Sequence, residues 1–179
     1  MAGPVARRAL CKAGLGVASL WLAGCAAGSA RPESAGGGQS PDFELNALDG
    51  SSVRLSDYLG KQVVLIDFWA TYCEPCLRAM PTLDVLYKKY KAQGFVVLGV
   101  AIDGPDSLSQ VRADVQRLGV GFPILLDQDT RVVALYNPKT SAPFSVLIGK
   151  QGNVLLRKEG YTTGSAESLE RDVAAALRQ

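Results

Sequence analysis

The sequence predicts an α/β fold: a mixed β-sheet with helices on both faces and an N-terminal β-hairpin. Two nearly continuous apolar runs, "VVLIDFW" (Val63–Trp69) and "FVVLGVAI" (Phe95–Ile102), are typical of strands buried on both faces. The segment between them has helical periodicity, so the three segments predict a βαβ unit with a parallel strand pair. Near the C-terminus, two β-rich segments flank the turn "KQGN" and predict an antiparallel hairpin.

The first 24 residues have the composition of an export signal. Arg7, Arg8 and Lys12 form a positive region, and an apolar stretch follows over residues 13–23. This stretch is short for a membrane-spanning helix. It ends in "LAGC", which resembles the bacterial lipobox, where the final cysteine receives diacylglycerol. We therefore expect residues 1–24 to be a lipoprotein signal peptide and Cys25 to be lipidated.

Removal of the signal would change the charge and the number of available cysteines. The chain carries a net charge of +2, and residues 1–24 hold three positive and no negative side chains, which leaves 2 − 3 = −1. This charge, and the lack of a basic stripe, argue against nucleic-acid binding. Cys11 would leave with the signal and Cys25 would carry lipid. Cys73 and Cys76 would then be the only thiols of the folded domain.

The chain contains no histidine. This excludes Cys/His zinc sites, haem ligation by histidine, and catalytic triads or dyads that need a histidine base. A zinc site of four cysteines would require a second cysteine pair in the folded domain. We therefore expect no metal site.

Residues 26–40, "AAGSARPESAGGGQS", are small and polar and have no apolar periodicity. Together with Cys25 they are expected to form a linker over residues 25–40, flexible and roughly 20 Å in r.m.s. length. The folded domain is expected over residues 41–179. Its predicted elements are a hairpin around Asp49-Gly50, a helical turn near Ser56, strand 63–69, helix 75–93 stopped by Gly94, strand 95–102, helix 107–118, strand 124–126, helix 131–136, strands 143–148 and 154–158, and helix 165–178.

Cys73 and Cys76 lie at the junction of the first buried strand and the following helix. A C-x-x-C pair can be a structural staple, half of a metal site or a redox centre, and its place in a βαβ unit favours the redox centre. Residues three apart on a helix have Cβ atoms about 5–6 Å apart, so these cysteines can form a disulfide with little backbone movement. A disulfide that closes so short a loop removes little entropy from the unfolded chain, which argues against a purely structural disulfide.

The helix start predicts different roles for the two thiols. Unpaired backbone N–H groups and the helix dipole stabilise an anion there, so Cys73 is predicted to be the attacking thiolate and Cys76 the resolving thiol. Pro75 suits the first helical turn. Glu74 has two interpretations. A carboxylate near the thiolate would raise the pKa of the Cys73 thiol and make the couple more reducing, whereas a solvated carboxylate would only interact with the helix dipole.

The stretch "VLIDFWATYCEPC" resembles the active-site strand and helix start of the thioredoxin superfamily. The C-E-P-C motif, the export signal and the N-terminal hairpin resemble its TlpA/ResA-like branch of membrane-tethered thiol–disulfide oxidoreductases. The segments "FPILLD" (122–127) and "SAPFSVLIGKQGNV" (141–154) match the family's later strands, so the resemblance covers about residues 41–179. It implies a thioredoxin-like three-layer fold, with no cofactor beyond the redox-active disulfide.

The resemblance implies roles for further residues. Asp67 matches the buried acid that exchanges a proton with the resolving thiol, and burial in an apolar strand should raise its pKa. Pro143 matches the family's cis-proline, and a cis Ala142–Pro143 bond would expose the Ala142 backbone for pairing with an extended substrate segment. Trp69 and Tyr72 are expected to pack around the disulfide and shield it, with direct substrate contact also open to Tyr72.

These features predict a lipid-anchored thiol–disulfide oxidoreductase of the bacterial cell envelope, facing the periplasm or extracytoplasmic space. We expect it to reduce disulfides of client proteins, such as apocytochrome c or the copper-site cysteines of an oxidase, and to be re-reduced by a membrane electron donor. A peroxiredoxin-like thiol peroxidase and a tethered non-catalytic binding module stay open as alternatives. The peroxidatic pattern P-x-x-x-T/S-x-x-C fails at Ile66 and Ala70, and a non-catalytic module leaves Asp67 and Pro143 unexplained.

Overall fold

Two β-sheets form within residues 38–179, the part of the chain that the computed structural model describes. The strands are β1 (Glu44–Asn46), β2 (Ser52–Arg54), β3 (Val63–Trp69), β4 (Phe95–Ala101), β5 (Ile124–Leu126), β6 (Phe144–Ile148) and β7 (Val154–Glu159). The first two form an antiparallel pair, and the others form a five-stranded sheet in the order β5-β4-β3-β6-β7. In that sheet β3, β4 and β5 are parallel, whereas β6 is antiparallel to β3 and β7. The predicted mixed sheet is confirmed.

The two central strands, β3 and β4, are buried along their whole length. This explains why their sequences are almost continuously apolar instead of alternating. The register places Trp69 beside Ala101 and Phe68 beside Phe144. The carboxyl ends of β3 and β4 and the first residue of β6 therefore meet at one edge of the sheet.

Helices cover both faces of the five-stranded sheet, as predicted. They are α1 (Glu74–Tyr90), α2 (Leu108–Leu118), α3 (Arg131–Tyr136) and α4 (Ser165–Leu177). From β3 to β4 and from β4 to β5, each new parallel strand is added toward the same edge of the sheet. Right-handed crossovers therefore place both connecting helices, α1 and α2, on one face. α4 packs against α1 and β3 on that face. On the other face, the Tyr136 ring of α3 lies 5.8 Å from the Phe68 ring, centroid to centroid.

Helix boundaries differ from the sequence expectation by a few residues. α1 begins at Glu74 and ends at Tyr90, and a 3₁₀ turn over Lys91–Gln93 continues it to Gly94. Gly94 has φ of 86°, the left-handed conformation that a helix-stopping glycine provides. A second 3₁₀ turn, Pro105–Ser107, precedes α2, so this helix begins at Leu108 and not at the predicted residue 107.

The β1–β2 hairpin covers the β5 edge of the large sheet. The Leu48 N–H donates to the Ile124 carbonyl at 2.8 Å, and Ala47 forms an antiparallel bridge with Leu125. Gly50 has φ of 92° in the predicted turn. The hairpin thus satisfies backbone groups that an open strand edge would expose.

Backbone pairing begins three residues earlier than composition predicted, because the Val154 N–H donates to the Gly38 carbonyl at 3.0 Å. Gln39 forms an antiparallel bridge with Asn153, and the Ser40 N–H donates to the Gly152 carbonyl at 2.8 Å. The chain thus joins the fold at the β6–β7 turn, at the end of the sheet opposite the carboxyl end of β3. The expected signal peptide and Cys25 lie outside the described residues. None of the helices in residues 38–179 has the length and apolar character needed to span a membrane.

Candidate active site

Cys73 and Cys76 form a disulfide at the start of α1. Cys73 caps the helix, and its Sγ accepts a hydrogen bond from the Cys76 N–H at 3.3 Å. The two Cα atoms lie 5.3 Å apart, in agreement with a disulfide within one helical turn. Cys73 is 7% exposed, whereas Cys76 is fully buried. Cys73 therefore keeps a small exposed surface, whereas Cys76 keeps none, in agreement with the shielding predicted for Cys76.

A short loop between β3 and α1 presents Cys73. The Cys73 N–H donates to the Ala70 carbonyl at 3.0 Å. The Thr71 N–H lies 3.1 Å from both carboxylate oxygens of Asp103, and Thr71 Oγ1 donates to Asp103 Oδ1 at 2.5 Å. Asp103 is buried and follows β4 by two residues. Sequence reasoning missed Asp103, although an acid directly after a buried parallel strand is a signal for a site at that edge.

The Glu74 side chain pairs with Arg78 on the surface of α1. The two residues form an i,i+4 ion pair, with side chains 81% and 64% exposed. Water screens such a pair, so its effect on a neighbouring thiol is small. The structure therefore favours the interpretation of Glu74 as a solvated acid at the helix start. Pro75 occupies the first turn of α1, as predicted.

Asp67 lies within β3 and is 4% exposed. Burial raises the pKa of its carboxyl group to about 7, while a hydrogen bond from Ser145 opposes this rise. Ser145 Oγ donates to Asp67 Oδ1 at 2.7 Å, because the β3–β6 register sets the two residues side by side. The Asp67 side chain faces α1 and α4, since its neighbour Phe68 faces α3. The prediction of a buried acid with a raised pKa is confirmed. Sequence reasoning missed Ser145, whose polar side chain carries no signal without the register.

The Ala142–Pro143 peptide bond is cis, as predicted. Pro143 precedes Phe144, which pairs with Phe68, so the cis bond lies next to the carboxyl end of β3. The Pro143 carbonyl accepts a hydrogen bond from the Gly160 N–H at 2.8 Å. Outside regular helices and strands, none of the backbone hydrogen bonds within residues 38–179 involves Ala142. Its N–H and carbonyl can therefore pair with an extended segment of another protein.

The two aromatic residues near the disulfide differ in exposure. Trp69 ends β3 and is fully buried, as expected for a packing residue. Tyr72 is 77% exposed, so the prediction that it packs around the disulfide is wrong. It lies in the loop beyond the last residue of β3, where its side chain projects into solvent. There it can contact a protein bound at Cys73.

One edge of the sheet thus brings together the sulfur of a slightly exposed cysteine, the sulfur of a fully buried cysteine and an unpaired backbone segment, with a buried acid in the strand beneath. They belong to Cys73, Cys76, Ala142 and Asp67, respectively. Within residues 38–179, no cluster of three or more Cys, Asp or Glu side chains is arranged to hold a metal ion. The arrangement is suited to thiol–disulfide exchange with a protein segment.

Comparison with known proteins points to the same chemistry. Residues 37–157 match the AhpC/TSA family. The thiol-disulfide oxidoreductase ResA of Geobacillus kaustophilus is 42% identical over 135 residues, which cover 75% of this chain and 74% of that protein. ResA of Halalkalibacterium halodurans is 34% identical over 142 residues, which cover 79% of this chain and 77% of that protein.

A solved structure shares the fold. A Chlorobium tepidum protein, described as a thiol:disulfide interchange protein DsbE, superposes with a TM-score of 0.73 and is 35% identical in sequence. The match covers 79% of this chain and 97% of that chain. Nearly the whole of that fold therefore has a counterpart here.

Proposed function

The chain belongs to the AhpC/TSA family of thioredoxin-like proteins, and within them to the ResA-type thiol–disulfide oxidoreductases, and from this premise we propose that it reduces disulfides of client proteins in the cell envelope. Oxidoreductase activity on protein thiols follows from that membership. The direction of electron transfer, the anchoring, the clients and the roles of individual residues are what we propose.

The disulfide between Cys73, which keeps a small exposed surface, and the fully buried Cys76 is the observation that carries this proposal. In the reduced enzyme, the Cys73 thiolate attacks a client disulfide and forms a mixed disulfide, and the other client sulfur leaves as a thiolate. The Cys76 thiolate then attacks Cys73 Sγ and releases the second client thiolate. Two electrons pass to the client, and the Cys73–Cys76 disulfide seen in the structure forms.

The buried acid supplies the proton transfer that this exchange requires. Cys76 must lose its proton before it attacks, and the fully buried thiol has no direct contact with water. Asp67 accepts that proton, because a carboxyl group with a pKa of about 7 exists in both forms near neutral pH. The client thiolates take up two protons in total, so the protons of the dithiol are accounted for.

Client docking uses the backbone beside the cis-proline. An extended client segment pairs with the Ala142 N–H and carbonyl, and Tyr72 contacts it from the loop that carries Cys73. Both contacts adjoin the accessible sulfur. Suitable clients present a disulfide in an extended or locally unfolded segment, as immature cytochrome c and the copper sites of oxidases do before they bind their cofactors.

The location rests on the sequence of residues 1–40. A lipid on Cys25 would hold the domain at the outer face of a bacterial membrane. The described chain joins the fold at the β6–β7 turn, whereas Cys73 follows the far end of β3, which is about 20 Å long. The disulfide therefore faces away from the attached end. Re-reduction requires a membrane protein that donates two electrons through its own dithiol, because the outer compartment has no glutathione pool.

The reduction potential of the Cys73–Cys76 couple tests the direction of electron transfer. We expect a value below about −250 mV, which is in the range of protein reductants. It is measured by equilibration with a dithiol buffer and mass-spectrometric counting of alkylated thiols. A value near −120 mV, the range of strong oxidants, would overturn the reductase proposal.

Trapping then identifies the clients. In Cys76→Ser the resolving step is lost, so mixed disulfides with clients should accumulate in cells and be identified by mass spectrometry. Cys73→Ser is the matched control and should trap none. The peroxidase alternative would gain support if peroxide oxidised Cys73 far faster than disulfide substrates did.

A further inference from the structure

Asp103 makes contacts that the exchange mechanism does not use. Its carboxylate accepts hydrogen bonds from the Thr71 N–H, 3.1 Å from each oxygen, and from Thr71 Oγ1 at 2.5 Å. Thr71 precedes Cys73 by two residues, so their Cα atoms are at most about 7 Å apart. Asp103 therefore fixes the loop that carries the attacking sulfur, from a position 32 residues away in sequence.

Among the described residues 38–179, no Lys or Arg forms an ion pair with Asp103. Only 4% of the residue is exposed, so water screens the carboxylate weakly. The ion pairs formed within residues 38–179 involve other acids, such as Glu74 with Arg78. The hydrogen bonds from Thr71 stabilise the charged form of the carboxylate but leave its net charge in place.

A buried negative charge at this position acts against the Cys73 thiolate. The start of α1 favours the thiolate through its unpaired N–H groups and dipole. A carboxylate nearby opposes this effect by like-charge repulsion through the protein interior. Since a stabilised thiolate stabilises the reduced enzyme and makes it an oxidant, a disfavoured thiolate makes the dithiol a better reductant.

We propose that Asp103 is a positioning residue of the redox centre: it holds Thr71, and with it the loop that presents Cys73, and its buried charge disfavours the Cys73 thiolate. This inference rests on the proposed reductase function. It gives Asp103 the electrostatic effect that the sequence suggested for Glu74, because Asp103 is buried and unpaired whereas Glu74 is exposed and bound to Arg78.

Other charged groups on the elements that meet at the disulfide are either paired, exposed or placed within the sheet. They are Asp67 in β3, the Glu74–Arg78 pair on α1, Asp106 after β4, and Glu159 of β7 with its partner Lys139. Asp67 is unchanged in all the variants compared below, and in the proposed mechanism it accepts the proton of Cys76. Asp103 is the group among them that is bonded directly to the Cys73 loop.

The thiol pKa of Cys73 tests the electrostatic part of the proposal. It is measured in the full chain from the pH dependence of the alkylation rate, with Cys11, Cys25 and Cys76 all replaced by serine so that one thiol remains. Asp103→Asn removes the charge but keeps a side-chain oxygen as hydrogen-bond acceptor. We expect the acid dissociation constant of the Cys73 thiol to increase by about tenfold, which means that its pKa falls by about one unit.

Three control variants separate charge from loop geometry. Thr71→Val removes one hydrogen bond and keeps the charge, and Asp103→Glu keeps the charge with a longer side chain. In both variants the pKa of the Cys73 thiol should stay close to that of the parent. Glu74→Gln removes an exposed charge and should shift the pKa less than Asp103→Asn. If Asp103→Asn does not fold, Asp103→Ser takes its place, because its hydroxyl can still accept from Thr71.

Two results would overturn the proposal. One is a Cys73 thiol pKa in Asp103→Asn that equals or exceeds that of the parent. The other is a shift in Glu74→Gln as large as that in Asp103→Asn. With Cys76 restored, the reduction potential of Asp103→Asn at pH 8.5 should be more positive by up to about 30 mV, the equivalent of tenfold in the equilibrium constant. The parent's potential tests the proposed reductase function, whereas the difference between variant and parent tests Asp103, so the two failures are distinguishable.

Discussion

Two buried acids near the disulfide differ in their hydrogen-bond partners. Asp67 is bonded to one hydroxyl, that of Ser145, and burial raises its pKa. Asp103 accepts several hydrogen bonds from Thr71, in the loop that carries Cys73. In the proposed mechanism the two acids serve different sulfurs, Asp67 by accepting a proton and Asp103 by position and charge.

Ser145→Ala should raise the pKa of Asp67 further. The hydroxyl of Ser145 stabilises the ionised carboxylate, and its loss leaves the raising effect of burial unopposed. We expect an increase of roughly half to one pH unit, the effect of one hydrogen bond of about 1 kcal/mol. Titration of the Asp67 carboxyl carbon by NMR checks this. Ser145→Thr keeps the hydroxyl and should titrate like the parent; equal pKa values in the alanine and threonine variants would contradict the assignment.

Glu74 and Tyr72 illustrate what a motif leaves undetermined about single residues. The C-E-P-C spacing predicts where Glu74 lies along α1, but its partner depends on the rotamer that reaches Arg78. Tyr72 was expected to shield the disulfide because aromatic residues usually pack. Its position beyond the end of β3 leaves it outside the packed layers, and its ring is 77% exposed.

At the scale of elements, β4 shows how closely side chains of and before β5 pack against its backbone. Gly99 lies between Asp67 of β3 and Ile124 of β5. A Cβ atom at this position would lie 2.8 Å from Phe122 Cε2 and 2.9 Å from Ile124 Cδ1. The strand therefore has room for glycine alone at the point where these two side chains pack.

Gly99→Ala should destabilise the fold through this overlap. We expect the free energy of unfolding to fall by about 1–3 kcal/mol, as for other overpacked cores. Gly104→Ala is the matched control, because Gly104 has φ of −65° and no atom within 4 Å of the added Cβ. It should change the stability by less than about 0.5 kcal/mol. Guanidinium unfolding of both variants measures the difference, and equal effects would show that the packing argument is wrong.

For the whole molecule, the raised pKa of Asp67 makes stability depend on pH. The native pKa of about 7 lies above the ordinary value of 3.8, so the native state binds more protons than the unfolded state between these values. The contribution of the protonated acid is fully present below pH 3.8 and is lost as the pH rises to about 7. The total loss is about 4 kcal/mol, from about three pH units at about 1.4 kcal/mol each.

Asp67→Asn should remove this dependence. Because the amide does not ionise, the stability of the variant relative to the parent should increase by about 3 kcal/mol between pH 5 and pH 8. Urea unfolding of the oxidised proteins at both values tests this. Asp49→Asn serves as the control: hydrogen bonds from Ser51 lower the pKa of Asp49, so this carboxyl group is ionised in both the native and the unfolded state between pH 5 and pH 8, and its replacement should leave the pH dependence of the parent unchanged. A constant difference between Asp67→Asn and the parent would contradict the raised pKa.

The sequence by itself determined the order of the elements, the redox pair and the buried acid. These depend on local properties: hydrophobic periodicity, turn and stop residues, and the position of C-x-x-C after a buried strand. Asp67 could be predicted to be buried because every neighbour in "VVLIDFW" is apolar. The resemblance of the motif to a known family added the cis-proline, which no local pattern indicates.

Only the tertiary structure decided which polar groups come together beneath and beside the redox pair. The Ser145–Asp67 hydrogen bond joins residues 78 apart, and the Thr71–Asp103 contact joins residues 32 apart. Both depend on strand register and on which strand ends meet at one edge of the sheet, and no short stretch of sequence contains that information. Electrostatic effects on Cys73 also depend on burial and pairing, which made exposed Glu74 a weak influence and placed buried Asp103 at the loop that carries the sulfur.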